Sequence, residues 1–353
     1  MHHSGMTHRV AALVALFVLL PLASSRAAEK NPELIGVTRI SDRAPHSAFT
    51  DLLRANNAYY CVFRESSAHI PGLNGKIRVL QSSDGQDWES IALVAEAGID
   101  LRDPKISLGP DGRLVLLMGG SVYPGDESLK NRKRTGAHSR VSFSKDGREW
   151  STPQPVEGIG NDQWLWQMAW HKGIGYGAVY STAKQTAAGT KRRIFTVWKT
   201  TDGVKWEKLA EPNPPVDLSE AAIRFLPDDT MVVLLRGEEK DRHAWIGTSL
   251  APYDKWQWKD AGHAAQGPDF IVLPDGRMFY AGRDFDEKGA ARTVFGRMTR
   301  EKLQPLLTFP SGGDCSYAGI AQGEPGTLNV SYYSSHEGKT SIYLAKVRIP
   351  IDR

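Results

Sequence analysis

Glu220 and Arg236 stand near the two ends of SEAAIRFLPDDTMVVLLRGE (219–238), two apolar runs joined by a Pro-Asp-Asp turn. Folded as a hairpin, the segment brings both charges to its open end, an acid and a base on one rim. A carboxylate there can take a proton, and a guanidinium can grip an anion through two parallel hydrogen bonds. Comparable segments elsewhere in the chain extend the set. Arg64 and Arg283 close apolar runs as Arg236 does, while Asp51, Arg102, Asp103, Trp164, Trp166, Asp314 and Tyr317 open them. Three arginines at one structural position predict a convergent anion clamp; the plainer account pairs each with a neighbouring acid, Glu65, Glu238 or Asp284. Carboxylates, arginines and aromatic faces together are what a site for an acidic sugar requires.

The elements that must position these residues repeat. Apolar runs flank a turn in FTDLLRANNAYYCVFR, DLRDPKISLGPDGRLVLLMGG, WQMAWHKGIGYGAVYS, SEAAIRFLPDDTMVVLLRG, GPDFIVLPDGRMFYAGR and CSYAGIAQGEPGTLNVSYYS, which predicts six hairpins. A second repeat runs out of phase with them: SSDGQDW (82–88), SKDGREW (144–150) and TTDGVKW (200–206), each after a β-rich run. Asp and Gly supply a turn and Trp plugs a core. Each hairpin is followed by a second strand pair. Four strands repeated six times predict an all-β fold, a six-bladed β-propeller with its blades around a channel. PELIGVTRIS (32–41) has no hairpin of its own and is expected to supply the missing outer strand of the last blade, closing the ring. No linker composition interrupts residues 32–353, so one domain is expected there.

The S/T-x-D-G-x-x-W elements resemble a one-residue-shorter Asp-box (BNR) repeat of the sialidase superfamily, over nearly all of the mature chain. Glu220 and Arg236 are similar in order and spacing to a Glu that opens, and an Arg that closes, the fourth-blade hairpin of bacterial sialidases. Arg283 resembles a further blade-five Arg, Tyr317 a blade-six Tyr, and Arg64 an additional blade-one Arg. The resemblance implies a secreted exo-glycosidase hydrolysing a terminal acidic sugar such as sialic acid. Tyr317 would be its nucleophile, Glu220 its base, and Arg64, Arg236 and Arg283 would bind the carboxylate. A Tyr nucleophile suits a substrate whose own carboxylate repels a carboxylate nucleophile.

Two departures from that pattern bear on the substrate. The first triad arginine is replaced by Ala48-Phe49-Thr50-Asp51, leaving Arg102 to take its place, and the acid/base Asp expected after Arg64 is missing from ESSAHIPG, where His69 is a titratable candidate. Acid/base duty then falls to Asp51, Asp103 or His69. Two other readings follow: a non-catalytic carbohydrate-binding propeller, or a glycosidase in which Asp51, Asp103 and Glu220 surround a neutral sugar. Asp314 and His336, in the loops of the last blade, are expected to reach the substrate, and His336 can protonate a leaving group.

The N-terminus reads as a leader rather than as part of the fold. Arg9, the apolar run VAALVALFVLLPLA and the small residues up to Ala27 match a secretory signal, so 1–27 is expected to be removed and the chain exported to a periplasmic or extracellular space. The run is shorter than the ~20 residues of a membrane span. Losing Arg9 and Arg26 lowers the formal charge from +4 to +2, a balance that argues against nucleic acid. The expected partner is a glycan or glycoconjugate, bound by a monomer. Cys61 and Cys315 lie in strand-like runs and read as buried thiols, although an oxidising compartment permits pairing. No His or Cys pair has metal-ligand spacing, so neither metal nor cofactor is expected.

Overall fold

A computed structural model describes residues 1–2, 30–70, 72–125, 132–187 and 190–350. The expected leader, 1–27, lies almost wholly outside the described residues. Asn31–Arg353 forms one compact unit. The six hairpins become six four-stranded antiparallel sheets, the blades of a β-propeller. Blade one comprises, after β1 (Glu33–Ser41), the strands β2 (His46–Ala55), β3 (Ala58–Ser66), β4 (Lys76–Ser82) and β5 (Glu89–Val94). Blade two holds β6 (Asp100–Leu108), β7 (Leu114–Val122), β8 (Gly136–Ser144) and β9 (Gln154–Pro155). Blade three holds β10 (Gln163–His171) and β11 (Ile174–Ser181), a two-stranded excursion of β12 (Gln185–Ala187) and β13 (Thr190–Arg192), then β14 (Phe195–Thr200) and β15 (Glu207–Ala210). Blade four runs β16 (Leu218–Phe225), β17 (Met231–Gly237), β18 (His243–Ser249), β19 (Gln257–Ala264). Blade five runs β20 (Gln266–Val272), β21 (Met278–Phe285), β22 (Ala291–Met298), β23 (Leu303–Thr308). Blade six is β24 (Cys315–Gln322), β25 (Thr327–Ser334) and β26 (Ser341–Arg348), and β1 adds to β26 as its outer strand.

Burial follows the radial order. The second strands, such as β7 and β17, are buried on both faces and are dominated by apolar runs, whereas outer strands such as β5 and β19 are exposed or half-buried along most of their length. Apolar side chains from adjacent blades form successive clusters around the ring. The three repeated turns tie into these. In the third, Asp202 Oδ1 accepts the Val204 and Lys205 N–H groups, Gly203 N–H donates to Thr200 Oγ1, and Trp206 donates through Nε1 to Gly203. Its indole then fills the cluster shared with blade two. Trp88 and Trp150 reach in the same way towards the blade that precedes theirs. Cys61 and Cys315 are buried free thiols.

One irregularity recurs in every blade and sets the chemistry. The innermost strand carries a register shift against its neighbour: between Ala48 and Asp51, Arg102 and Lys105, Leu165 and Gln167, Leu218 and Ala221, Gln266 and Asp269, and Ser316 and Gly319. Each is a bulge of one extra residue. Phe49, Asp103, Gly267 and Tyr317, at equivalent bulge positions, take positive φ values of 60, 49, 58 and 50°. Pro104 and Pro268 follow two of them, where the ladder has no need of an N–H.

Candidate active site

The bulges deliver a compact polar group to one mouth of the channel. Tyr317 donates its hydroxyl to Glu220 Oε1 at 2.6 Å, and Arg236 Nη1 donates both to Glu220 Oε2 at 3.0 Å and to the Tyr317 oxygen at 3.1 Å. The Gly267 N–H donates to Glu220 Oε2 at 2.8 Å. Gly267 is required there, because a Cβ would stand 2.5 Å from the Tyr317 ring. The ring is wedged edge-on between Phe49 and Trp166, at centroid distances of 5.2 and 5.7 Å, and the Arg283 guanidinium lies 5.4 Å from its centroid.

Electrostatics separates the acids of this mouth. Burial pushes Glu220 up, but the Arg236 charge and three hydrogen bonds outweigh it and hold its carboxyl below the usual range. Asp103 is raised, by burial first and by the Glu220 charge, against the pull of Arg102 and Lys105. Tyr317 is raised well above an ordinary phenol by burial and by Glu220, with Arg236 and Arg283 opposing. Tyr180, on β11, feels the same Glu220 and Asp103 charges; neither it nor Tyr333 stood out in the sequence.

The arginines do not sit as expected. Arg64 pairs with Ala48 and Arg283 with Gln266, equivalent rungs, but Arg236 lies opposite the blade-four bulge, one residue before Gly237, which pairs with Leu218. One residue along a strand reverses the side chain. Arg236 therefore turns to its own blade's Glu220, while Arg64 and Arg283 both reach the first residue of the next blade's inner strand. Arg64, 1% exposed, donates Nε and Nη2 to Asp100 Oδ1 at 2.9 and 2.7 Å and Nη1 to Ala68 O. Arg283 donates to the Cys315 carbonyl at 2.6 and 2.9 Å and to Tyr333. Arg102 is the loosest of the four: its nearest carboxylate oxygens, on Asp103 and Asp100, stand 3.7 and 3.8 Å away.

Other expected positions move away from the mouth. Asp51 is turned by the Phe49–Thr50 bulge into a cavity of ≈ 450 Å³ at the other end of the channel, where it accepts the Ile106 N–H. Gln167 and Asp269 accept from Ile223 and Ile320 in the same way, stitching inner strands together, and Arg224 bridges those two side chains. Burial and the Asp269 charge push the Asp51 carboxyl up to about 6, against Lys105. A folded-state value above the ordinary 3.8 contributes stability that is complete below about pH 4 and is lost as pH rises through about 6. Asp51→Asn, which keeps an acceptor for Ile106, should therefore raise the unfolding free energy relative to wild type by roughly 2–3 kcal/mol more at pH 8 than at pH 4, read by denaturant titration. Trp164 and Trp166 are buried rather than offering open faces; Trp164 lies flush on Gly119, which leaves no room for a Cβ. His336 is exposed on the β25–β26 loop, bonded to Ser334 Oγ and set against Tyr343.

Asp314 reaches the mouth with partners that sequence spacing concealed. Its Oδ2 lies 3.0 Å from His46 Nε2 and 2.7 Å from His69 Nδ1, and its Oδ1 accepts from the Tyr333 hydroxyl at 2.8 Å. Among the described residues, this trio and a second of Asp241, His243 and Asp260, in which His243 is half-buried and both acids are exposed, are the groups with metal-ligating geometry.

No protein-family model matches the chain, and no curated protein matches its sequence. Solved structures do share its fold. A protein of unknown function from Dyadobacter fermentans superposes with a TM-score of 0.75 at 18% identity, over 91% of this chain and 100% of that one. A mutant Trypanosoma rangeli sialidase with trans-sialidase activity superposes at 0.67 and 10% identity, covering 89% of this chain and 58% of its own. An α-L-arabinofuranosidase from Fusarium graminearum superposes at 0.62 and 13% identity, covering 91% and 98%. At such identities the likeness is one of fold.

Proposed function

We propose that the chain is a glycoside hydrolase of the sialidase type in which Tyr317 attacks the anomeric carbon. One observation carries the reading: the buried Tyr317 hydroxyl donates to the ionised Glu220 at 2.6 Å with Arg236 beside the same oxygen. A phenol raised above its ordinary pKa needs both a base and a cation to become a nucleophile, and here it has both. As the Tyr317 oxygen bonds to carbon, its proton passes to Glu220. The glycosidic bond breaks, and Asp103 protonates the departing oxygen. Water then attacks the glycosyl-tyrosine with Asp103 as base, and the phenol recovers its proton from Glu220. Two displacements give net retention.

Assigning Asp103 as the acid rests on two neighbouring carboxyls pushed in opposite directions, Asp103 up and Glu220 down. Activity should fall on the acid side as Glu220 protonates and on the basic side as Asp103 ionises. Asp103→Asn should remove the basic limb of kcat/KM and lower kcat/KM for poor leaving groups by about 10²–10⁴-fold while sparing it for nitrophenyl glycosides, whose kcat should still fall because the glycosyl-tyrosine loses its base. A basic limb that survives the substitution would return the role to His69.

The arginines favour a second reading of the substrate. Arg64 is committed to Asp100 and Arg236 to Glu220 and Glu238, so fewer guanidinium hands remain for a carboxylate than a three-arginine clamp needs. Asp103 and Glu220 would then serve a neutral sugar. A panel of fluorogenic sialosides, uronides and neutral furanosides decides between them, and binding without release from any of them would make the protein a carbohydrate-binding propeller. We also propose export, on the leader-like N-terminus.

A further inference from the structure

We propose that His46, His69 and Asp314 bind one divalent transition-metal ion of the zinc class at the mouth of the channel. This goes beyond the hydrolytic reading and does not depend on it. The three ligands come from the start of β2, the β3–β4 loop and the residue before β24, and their ligating atoms all lie within 4.8 Å of one another. Two ligands each 2.0–2.1 Å from a tetrahedral ion stand about 3.3 Å apart. The 3.0 and 2.7 Å separations from Asp314 Oδ2 need open by about 0.3 and 0.6 Å to admit one.

The surroundings suit a metal in three respects. Two imidazoles and a carboxylate are a donor set that Zn²⁺ and Co²⁺ accept, and one that leaves a coordination position for water or another oxygen. The second carboxylate oxygen is already fixed by Tyr333 and lies 3.5 Å from Arg283, as outer partners fix a metal-bound carboxylate. The open side faces the mouth. His69 is 44% exposed and Asp314 27%, while His46 lies at the base of the trio at 8%. Phe49 packs edge-on against His69 at 5.0 Å and against Tyr317 at 5.2 Å, so a bound ion would lie one ring away from the phenol.

The test uses the full chain stripped with chelator and titrated with Co²⁺ and then Zn²⁺. One Co²⁺ should bind with the visible absorption of a four- or five-coordinate ion, and Zn²⁺ should displace it at one per chain. The surface trio supplies the control: His243→Ala should leave this stoichiometry unchanged. His69→Ala, at a half-exposed loop position where folding is not at risk, should weaken Zn²⁺ by at least about 100-fold, and Asp314→Asn should do the same. Wild type without a saturable Co²⁺ band overturns the proposal, as does Zn²⁺ binding lost in His243→Ala and retained in His69→Ala. Neither readout involves turnover, so a metal site and a hydrolase can fail separately.

Discussion

Tyr317→Phe is expected to lower kcat on the best aryl glycoside of the panel by at least about 10³-fold while leaving KM within a few-fold, since removing a nucleophile costs most of what the catalytic group supplies. Phe keeps the ring where Phe49, Trp166 and Tyr333 hold it. Only the hydroxyl is lost, and with it the contacts to Glu220 and Arg236. Those two remain paired to each other, and Glu220 keeps the Gly267 N–H, so no buried charge is stranded. Stability should change by about 1 kcal/mol, the worth of a hydrogen bond, which separates a chemical defect from a folding one. Turnover within tenfold of wild type would eliminate Tyr317 as nucleophile and leave Asp103 and Glu220 to act directly on the sugar. Mass spectrometry of a wild-type reaction stopped with a fluorinated glycoside should find the adduct on the Tyr317 peptide.

Arg64→Leu carries the second large effect, in unfolding free energy. Its guanidinium is buried against Asp100, whose Oδ1 also accepts the Gly75 N–H at 2.6 Å. Removing one partner of a buried ion pair leaves the other charge uncompensated, a loss of about 3–5 kcal/mol. Arg102, 3.8 Å from Asp100, recovers little of it. Urea titration should show the midpoint falling for Arg64→Leu, with much of the loss regained in Arg64→Leu/Asp100→Leu. The opposite outcome, unchanged stability with a raised KM for an anionic substrate, would make Arg64 the clamp residue that its place in the sequence advertised.

The fold was legible because a propeller writes itself twice: in six apolar hairpins, and in SSDGQDW, SKDGREW and TTDGVKW. The pairing of Glu220 with Tyr317 came from the family resemblance, since nothing local links residues 97 apart. What stayed hidden was the bulge. An extra residue in an inner strand reverses every side chain beyond it, so alternation counted from the hairpin turn misplaces the rim. Asp51 lies on the turn side of its bulge, and so deeper in the channel than its place near the start of β2 suggests, while Arg236 lies one residue out of step with Arg64 and Arg283. A signal existed: Asp103-Pro104 and Gly267-Pro268 are poor ladder residues near the starts of otherwise strong strands. His46 left no trace and His69 shows in the sequence only as a titratable candidate, because the two meet Asp314 from 268 and 245 residues away.

Ring closure by β1 has a consequence in time. Glu33 pairs with Arg348, 315 residues later, so the last blade cannot be completed until nearly all of the chain is present. The equilibrium cost of so long a loop is small, since each doubling of loop length adds only about 0.6 kcal/mol. The search is what is slow: folding rate falls as contacts become less local. Until β26 arrives, β1 is an unpaired edge at the head of the chain, open to the wrong neighbour. Once the two ends are joined the order inverts, because no terminal blade is left to fray and opening must begin by breaking a closed circle.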